Sequence, residues 1–364
     1  MKRTLLYIGL LSLVFLITGA GCVSFGGTTE SASPIGPAGM FLSVDKGESW
    51  KQISLLPTSN GVKNISTVDV YKIFTDPQDT AALYWATPDN GFFYSYNEGT
   101  SWQQPAGDLQ KGAVYSIAVD PKNKCEIYVS NGNKILKTND CNRSWSELYR
   151  DSRPDARIVS VAVNPYTPNQ ILAVLNNGDL IESTDNGKSW HTGARFAKTE
   201  LVEIIPDKLQ KDVFYIITKS MGMMRSTDAG ANWKQLTEPM KDYPKALAFR
   251  RFVVHPEVLG KLYWISSYGI LMSSDSGDSW EPIDLITPPG TTLIYGFYVS
   301  PKNVDEIYYT ATVGDRSTFY KTVDGGKNWI TSKLPSNQLP SILYIHPDKE
   351  EVLYLGFTNI PQKK

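Results

Sequence analysis

One eight-residue pattern, Ser/Thr-x-Asp/Asn-x-Gly/Asn-x-Ser/Asn-Trp, recurs seven times along the 364-residue chain. Its central polar residue falls at Asp45, Asn97, Asp140, Asp185, Asp228, Asp275 and Asp324. Its tryptophan falls at Trp50, Trp102, Trp145, Trp190, Trp233, Trp280 and Trp329. Successive tryptophans are 52, 43, 45, 43, 47 and 49 residues apart, a period that matches four-stranded propeller blades. An array of such repeats makes one large domain, although the length alone would allow two or three.

A second element recurs between the boxes: a strand ending in x-Pro, a polar turn and another strand. It occurs as Asp76-Pro77, Asp120-Pro121, Asn164-Pro165, Ile205-Pro206, His255-Pro256, Ser300-Pro301 and His346-Pro347. Proline lacks the ladder donor and belongs at a strand end, so each marks the same corner. After it come β-rich runs such as "QILAVLNN" and "KLYWISS", a short turn, a third strand, the box, and a fourth strand opening with its tryptophan. Four short strands per period predict an all-β propeller, and no stretch of the mature chain sustains a helical period. The box suits the turn between third and fourth strands: Ser, Thr, Asp and Asn side chains bond nearby backbone donors, Gly permits positive φ, and Trp packs where sheets meet. The last repeat supplies two strands, near Ile342 to Ile345 and Val352 to Phe357, and the first box lacks two before it. Together they complete a seventh blade and staple the ring shut.

Residues 1–22, "MKRTLLYIGLLSLVFLITGAGC", have a basic start, an apolar run and small residues before a cysteine, the layout of an export signal. Gly-Ala-Gly before Cys22 resembles a bacterial lipobox, in which the cysteine is lipidated; ordinary cleavage and an uncleaved anchor are the alternatives, and all three export the domain. Residues 23–38, rich in Gly, Ser, Thr and Pro, read as a flexible linker, with the propeller over 39–358 and a tail over 359–364. Lys and Arg total 36 against 37 Asp and Glu, a balance without the basic footprint that nucleic acid requires. Cys125 and Cys141 flank a strand, an Asn-Gly turn and a strand, which folds them nearly opposite one another. The expectation is a disulfide, with two separate thiols the alternative should the register slip by one.

The box resembles the Asp-box, or bacterial neuraminidase repeat, over essentially the whole mature chain. Families that carry it include sialidases, xyloglucanase-type glycosidases, sortilin-like receptors and the photosystem II assembly-factor-like lipoproteins. The resemblance implies the fold and leaves the function open. Resemblance to sialidases implies an arginine triad, a tyrosine nucleophile with a glutamate partner and an acidic proton donor. The Phe/Tyr-Arg-Ile-Pro signature of that family is absent, "ARIVS" and "FRRFV" being partial echoes. A xyloglucanase-like enzyme implies paired carboxylates facing each other between two propellers, and this chain has residues for one. His255 and His346 precede corner prolines and read as turn residues; no metal site and no cofactor are expected. The box aspartates lack the bidentate glutamate of a calcium loop. Trp85 and Trp264 fall in second strands, where packing between blades is the first reading.

The repeats leave unexplained the loops of the face opposite the boxes, such as "YRDSRPDARI", "TEPMKDYPKALAFRR" and "TVGDRSTF". Variable loops on a rigid scaffold carry binding specificity. Tyr149, Arg150, Arg153, Arg157, Tyr243, Arg250, Arg251, Tyr268 and Arg316 form an Arg/Tyr-rich candidate set there. The assembly-factor-like propellers bind a partner through an arginine patch, but no position of it transfers residue by residue. The expectation is an exported, lipid-anchored, monomeric propeller that acts as a non-catalytic binding or assembly scaffold for a protein partner at the bacterial cell envelope. The competing expectation is a carbohydrate-active propeller, either a glycoside hydrolase or a glycan binder.

Overall fold

The computed structural model describes residues 36–314 and 316–360. The expected leader with Cys22, all but the last three residues of the 23–38 linker, and 361–364 lie outside them. Seven four-stranded sheets form the ring. The inner strands of blades 1 to 7 are Lys72–Thr75, Ser116–Asp120, Ile158–Val163, Leu201–Pro206, Phe249–Val254, Leu293–Val299 and Leu339–Ile345. Four of the second strands, Leu83–Ala86, Ile171–Leu175, Phe214–Thr218 and Leu262–Ser266, are buried along their whole length. They are covered by adjacent blades on both faces, which is why they read as continuous apolar runs rather than alternating ones. Trp85 and Trp264, both fully buried, lie in these strands as expected.

Each box is a turn held by its own side chains. In the fourth copy Ser183 Oγ donates to Asp185 Oδ1 at 2.8 Å and accepts from Gly187 N at 2.8 Å, while Asp185 accepts from Ser189 N and Ser189 Oγ at 2.9 and 2.6 Å. Two successive residues then turn left-handed, Asn186 at φ 65° and Gly187 at φ 87°. The third copy puts Asn142 at the glycine position, with φ 69°, a conformation that asparagine tolerates better than most residues. The hydroxyl donors, foremost Ser49, Ser144 and Ser189, hold the carboxyls of Asp45, Asp140 and Asp185 down to about 2. Asn328 does the same for Asp324. The tryptophans reach the preceding blade: Trp145 meets Phe92 edge-on at 5.8 Å, Trp190 meets Tyr149 at 5.3 Å and Trp50 meets Phe319 at 5.7 Å. Such pairs add about 0.5–1.5 kcal/mol each beyond the area they bury.

The corners use one device seven times. The residue at the corner accepts backbone N–H groups two or three positions on, as Asp120 Oδ1 does from Lys122 and Asn123 at 2.7 and 3.0 Å. His255 Nδ1 accepts from Glu257 and Val258 at 3.1 Å each, and His346 Nδ1 from Asp348 at 3.2 Å, so both histidines are corner acceptors, as read from the sequence. Blade 4 corrects the reading Ile205-Pro206. Its acceptor is Asp207, which takes Leu209 and Gln210 N–H at 2.9 and 3.1 Å. Pro206 is the last strand residue, and Lys208 stands where the other six corners have proline.

The first described strand, Gly39–Ser43, pairs with the last, Leu353–Thr358, from Gly39–Phe357 to Ser43–Leu353. With Lys51–Gln52 and Leu339–Ile345 these complete blade 7 from both ends of the chain. Gly36–Ala38, the end of the expected linker, is held there: Ser336 Oγ donates to Pro37 O at 2.7 Å and Gln52 Nε2 to Ala38 O at 2.8 Å. Asn359, in the expected tail, binds Asp69 through its backbone and side-chain nitrogens at 2.7 and 2.6 Å. Cys125 and Cys141 form the disulfide, tying the corner of blade 2 to its box.

Two local differences from the repeat have sequence causes. The outer strand of blade 1 does not open at Trp102; after a single bridge between Tyr94 and Gln103, the segment with Pro105 and Gly107 makes a 3-10 turn, and Gly112–Ala113 pairs parallel to Asn90–Gly91. Proline cannot continue a ladder. The loop "PTSNGVKNIS" contains most of a hairpin, Leu55–Thr58 with Gly61–Asn64, closed by a turn at Ser59-Asn60.

Candidate functional site

Placing the seven corners in register puts three charged residues at one level of the inner strands. Four residues before the corner stand Lys72 in blade 1, Glu203 in blade 4 and Arg251 in blade 5; the other blades have serine, glycine or isoleucine. Five inner strands slip register at or just before this level, at Ile158/Ser160, Leu201/Glu203, Phe249/Arg251, Ile294/Phe297 and Pro340/Ile342. A bulge re-aims the side chain it carries. In blades 4 to 7 the shifted residues Val202, Arg250, Tyr295 and Ser341 line a central cavity of about 690 Å3.

The electrostatics of this cavity are lopsided. Its walls carry Lys72, Lys208, Arg250 and Arg251 against a single carboxylate, Glu203. Lys72 Nζ meets Glu203 Oε1 at 2.9 Å, joining blades that are as far apart as a seven-membered ring allows. Burial is the largest single influence on Lys72 and acts to lower it, but the charge and hydrogen bond of Glu203, together with Tyr71, outweigh it and hold the ammonium above its usual range. Arg251 is pushed down by burial, against opposing pulls from Glu203, Tyr298 and Tyr71, and its NH2 reaches Ser341 O at 3.4 Å. Arg250 donates to the Tyr295 hydroxyl, lies over that ring at 4.8 Å, and reaches Ser267 Oγ at 3.4 Å. Its buried Nε has no hydrogen-bond partner among the described residues. Lys208 is exposed as a residue, but desolvation of its ammonium lowers it, with Asp76 and Glu257 opposing. Tyr298 and Tyr344 meet edge-on at 5.2 Å toward the box end, and burial raises Tyr298 to about 12. Among the described residues no three His, Cys, Asp or Glu side chains converge as metal ligands. The chemistry available is recognition of negative charge between aromatic walls.

No family model matches the chain. It is 24% identical to a xyloglucanase of Paenibacillus sp over 250 residues, 65% of this chain and 23% of that protein. It is 30% identical to the vacuolar protein sorting/targeting protein 10 of Arthroderma otae over 115 residues, 29% of this chain and 8% of that protein. The matches thus span less than a quarter of either relative. Among solved structures, the GH74 xyloglucanase of Xanthomonas campestris superposes with a TM-score of 0.62 at 16% identity, covering 80% of this chain and 51% of that one. YCF48 bound to a D1 peptide superposes with a TM-score of 0.59 at 14% identity, covering 82% and 94%. The chain is a seven-bladed β-propeller similar to these proteins.

The propeller divides the nine candidate residues among several sites. Arg250 and Arg251 enter the central cavity. Arg153 joins two buried carboxylates, Asp151 at 2.7 Å and Asp179 at 2.6 Å, and Arg150 pairs with Glu147. Tyr149 packs on Trp190 and its hydroxyl reaches Asp151 Oδ2 at 3.4 Å. Tyr243 and Tyr268 stack edge-on at 5.2 Å, and the Tyr243 hydroxyl donates to Trp280 O at 2.7 Å. Arg157 and Arg316 are exposed, in the connection into blade 3 and at the second turn of blade 6, with no ion pair among the described residues. Sequence reasoning missed Lys72, Glu203 and Lys208. The available signal was a charge four residues before a corner, and taking Ile205 for the blade 4 corner shifted that frame and hid Glu203.

Proposed function

We propose that this propeller is an exported, lipid-anchored binding scaffold that takes an acidic segment of a protein partner at the loop face, over the mouth of its central channel. One observation carries the reading: four cations line the channel against one carboxylate, and that carboxylate is already paired across the ring. A glycosidase working with two carboxylates needs a second one facing the first across the scissile bond, and Glu203 is the only one among the described residues of the wall. Arg157 and Arg316 are further cations, exposed on the loop face. The D1 peptide bound by YCF48 is a precedent, on a similar propeller, for a polypeptide ligand. Export and anchoring rest on the basic start, apolar run and Gly-Ala-Gly-Cys of residues 1–22.

The test is recovery of partners from native membranes by the full chain, compared with the double charge reversal Arg157→Glu/Arg316→Glu. A protein recovered by the parent and depleted about tenfold by the reversal is the expected result. Recovery of no protein, with binding to a glycan array instead, would overturn the reading in favour of carbohydrate recognition.

A further inference from the structure

The level of Lys72, Glu203 and Arg251 carries two cations and one carboxylate, close enough that each feels the others' charge. Glu203 satisfies Lys72 and leaves Arg251 with one long contact to a backbone carbonyl. One residue before Arg251, the Nε of Arg250 is buried and without a hydrogen-bond partner among the described residues. A buried guanidinium without its acceptors is costly, and a carboxylate is the group that matches its planar fork. Each member of the Lys72–Glu203 pair is only about a fifth exposed, 19% and 20%, so water reaches the pair without screening it fully.

We infer that the channel contains a binding site for one carboxylate group, held on Arg251 with Lys72 beside it and Arg250 on the same cavity wall. The inference rests on the proposed binding reading and names the group recognised. Glu203 acts as a resident competitor: it is a carboxylate of the chain itself, reaching across the channel to one of the cations that a ligand would use. The carboxylate comes from an acidic side chain of a partner or from a small free acid, and the aromatic walls of Tyr71, Phe249, Tyr298 and Tyr344 take the carbon skeleton behind it. The cavity, about 690 Å3, has the size of a small-molecule pocket.

The experiment is calorimetric titration of the full chain with succinate, acetylated hexaglutamate amide and inorganic phosphate. Arg251→Gln is expected to weaken the carboxylate probes by about tenfold or more. Glu203→Gln is expected to tighten them by roughly threefold to tenfold, because Lys72 is freed for the ligand. The same change should lower the melting temperature, since it strands a largely buried ammonium, so affinity and stability move in opposite directions and misfolding cannot imitate the result. Binding of succinate assigns the site to small free acids, and binding of the peptide alone assigns it to an acidic segment. The inference is overturned if neither carboxylate binds, if phosphate binds more tightly than both, or if Glu203→Gln leaves affinity unchanged. Should these titrations fail while the membrane pull-down still recovers a partner sensitive to Arg157 and Arg316, the scaffold reading stands without this site.

Discussion

At the scale of single residues, the boxes make their own acid-sensitive locks. The carboxyls of Asp45, Asp140, Asp185 and Asp324 are held to about 2 in the folded ring, against about 3.9 in an unfolded chain. A carboxylate with a depressed folded pKa contributes stability that is complete above about pH 4 and lost as pH falls toward 2. Thermal melts between pH 5 and pH 2 should therefore show the boxes' share as a progressive fall that sets in below about pH 4. Asp185→Asn should flatten its share, because the second copy already works with Asn97 accepting from Ser101 N at 3.0 Å. Arg153 illustrates a residue whose type was legible and whose role was not. It is 47% exposed but its partners Asp151 and Asp179 are 5% exposed, so Arg153→Ala should cost about 1–3 kcal/mol in urea unfolding, with Arg195 retaining part of the charge balance on Asp179. Partner recovery should be unaffected. An Arg in a variable loop invites a binding reading, and only the fold reveals that its fork is already filled.

At the scale of elements, the corner is where local chemistry and pH meet. His255 and His346 accept backbone N–H groups on Nδ1, which requires the neutral ring, and burial lowers both below the usual 6.5. The unfolded state binds the extra proton first, so stability is complete above about pH 6.5 and declines as pH falls through the range below it. His255→Asn, which keeps an acceptor of the type that Asn164 supplies in blade 3, should remove its part of the decline; melts at pH 5.0 and 7.5 check this. Boxes and corners were legible because each bonds groups two to four residues apart, a range that composition encodes directly. The outer strand of blade 1 was missed because Pro105 and Gly107 override the repeat, and the hairpin of Leu55–Thr58 and Gly61–Asn64 because it is an insertion with no counterpart in the other blades. The cavity was illegible for a different reason. Lys72 and Glu203 are 131 residues apart, and their meeting depends on the number of blades in the ring and on bulges that no local pattern announces.

At the scale of the whole molecule, the ring depends on pairing its first described strand with its last. Truncation after His346 removes Leu353–Thr358, the strand lying between Gly39–Ser43 and Leu339–Ile345, and should convert one cooperative unfolding transition into a broad one at lower urea. Circular dichroism and intrinsic fluorescence should cease to coincide. The same closure sets a timetable. Gly39–Ser43 is synthesised before the six blades that follow; Lys51–Gln52 can pair with one of its edges at once, but the other finds its partner only when Leu353–Thr358 emerges, so through most of the chain's production that apolar edge is open. A chain that leaves a ribosome or a secretion pore one end first must therefore be shielded for that whole interval, and the carboxylate site between blades 1, 4 and 5 comes into being only at the moment the ring shuts.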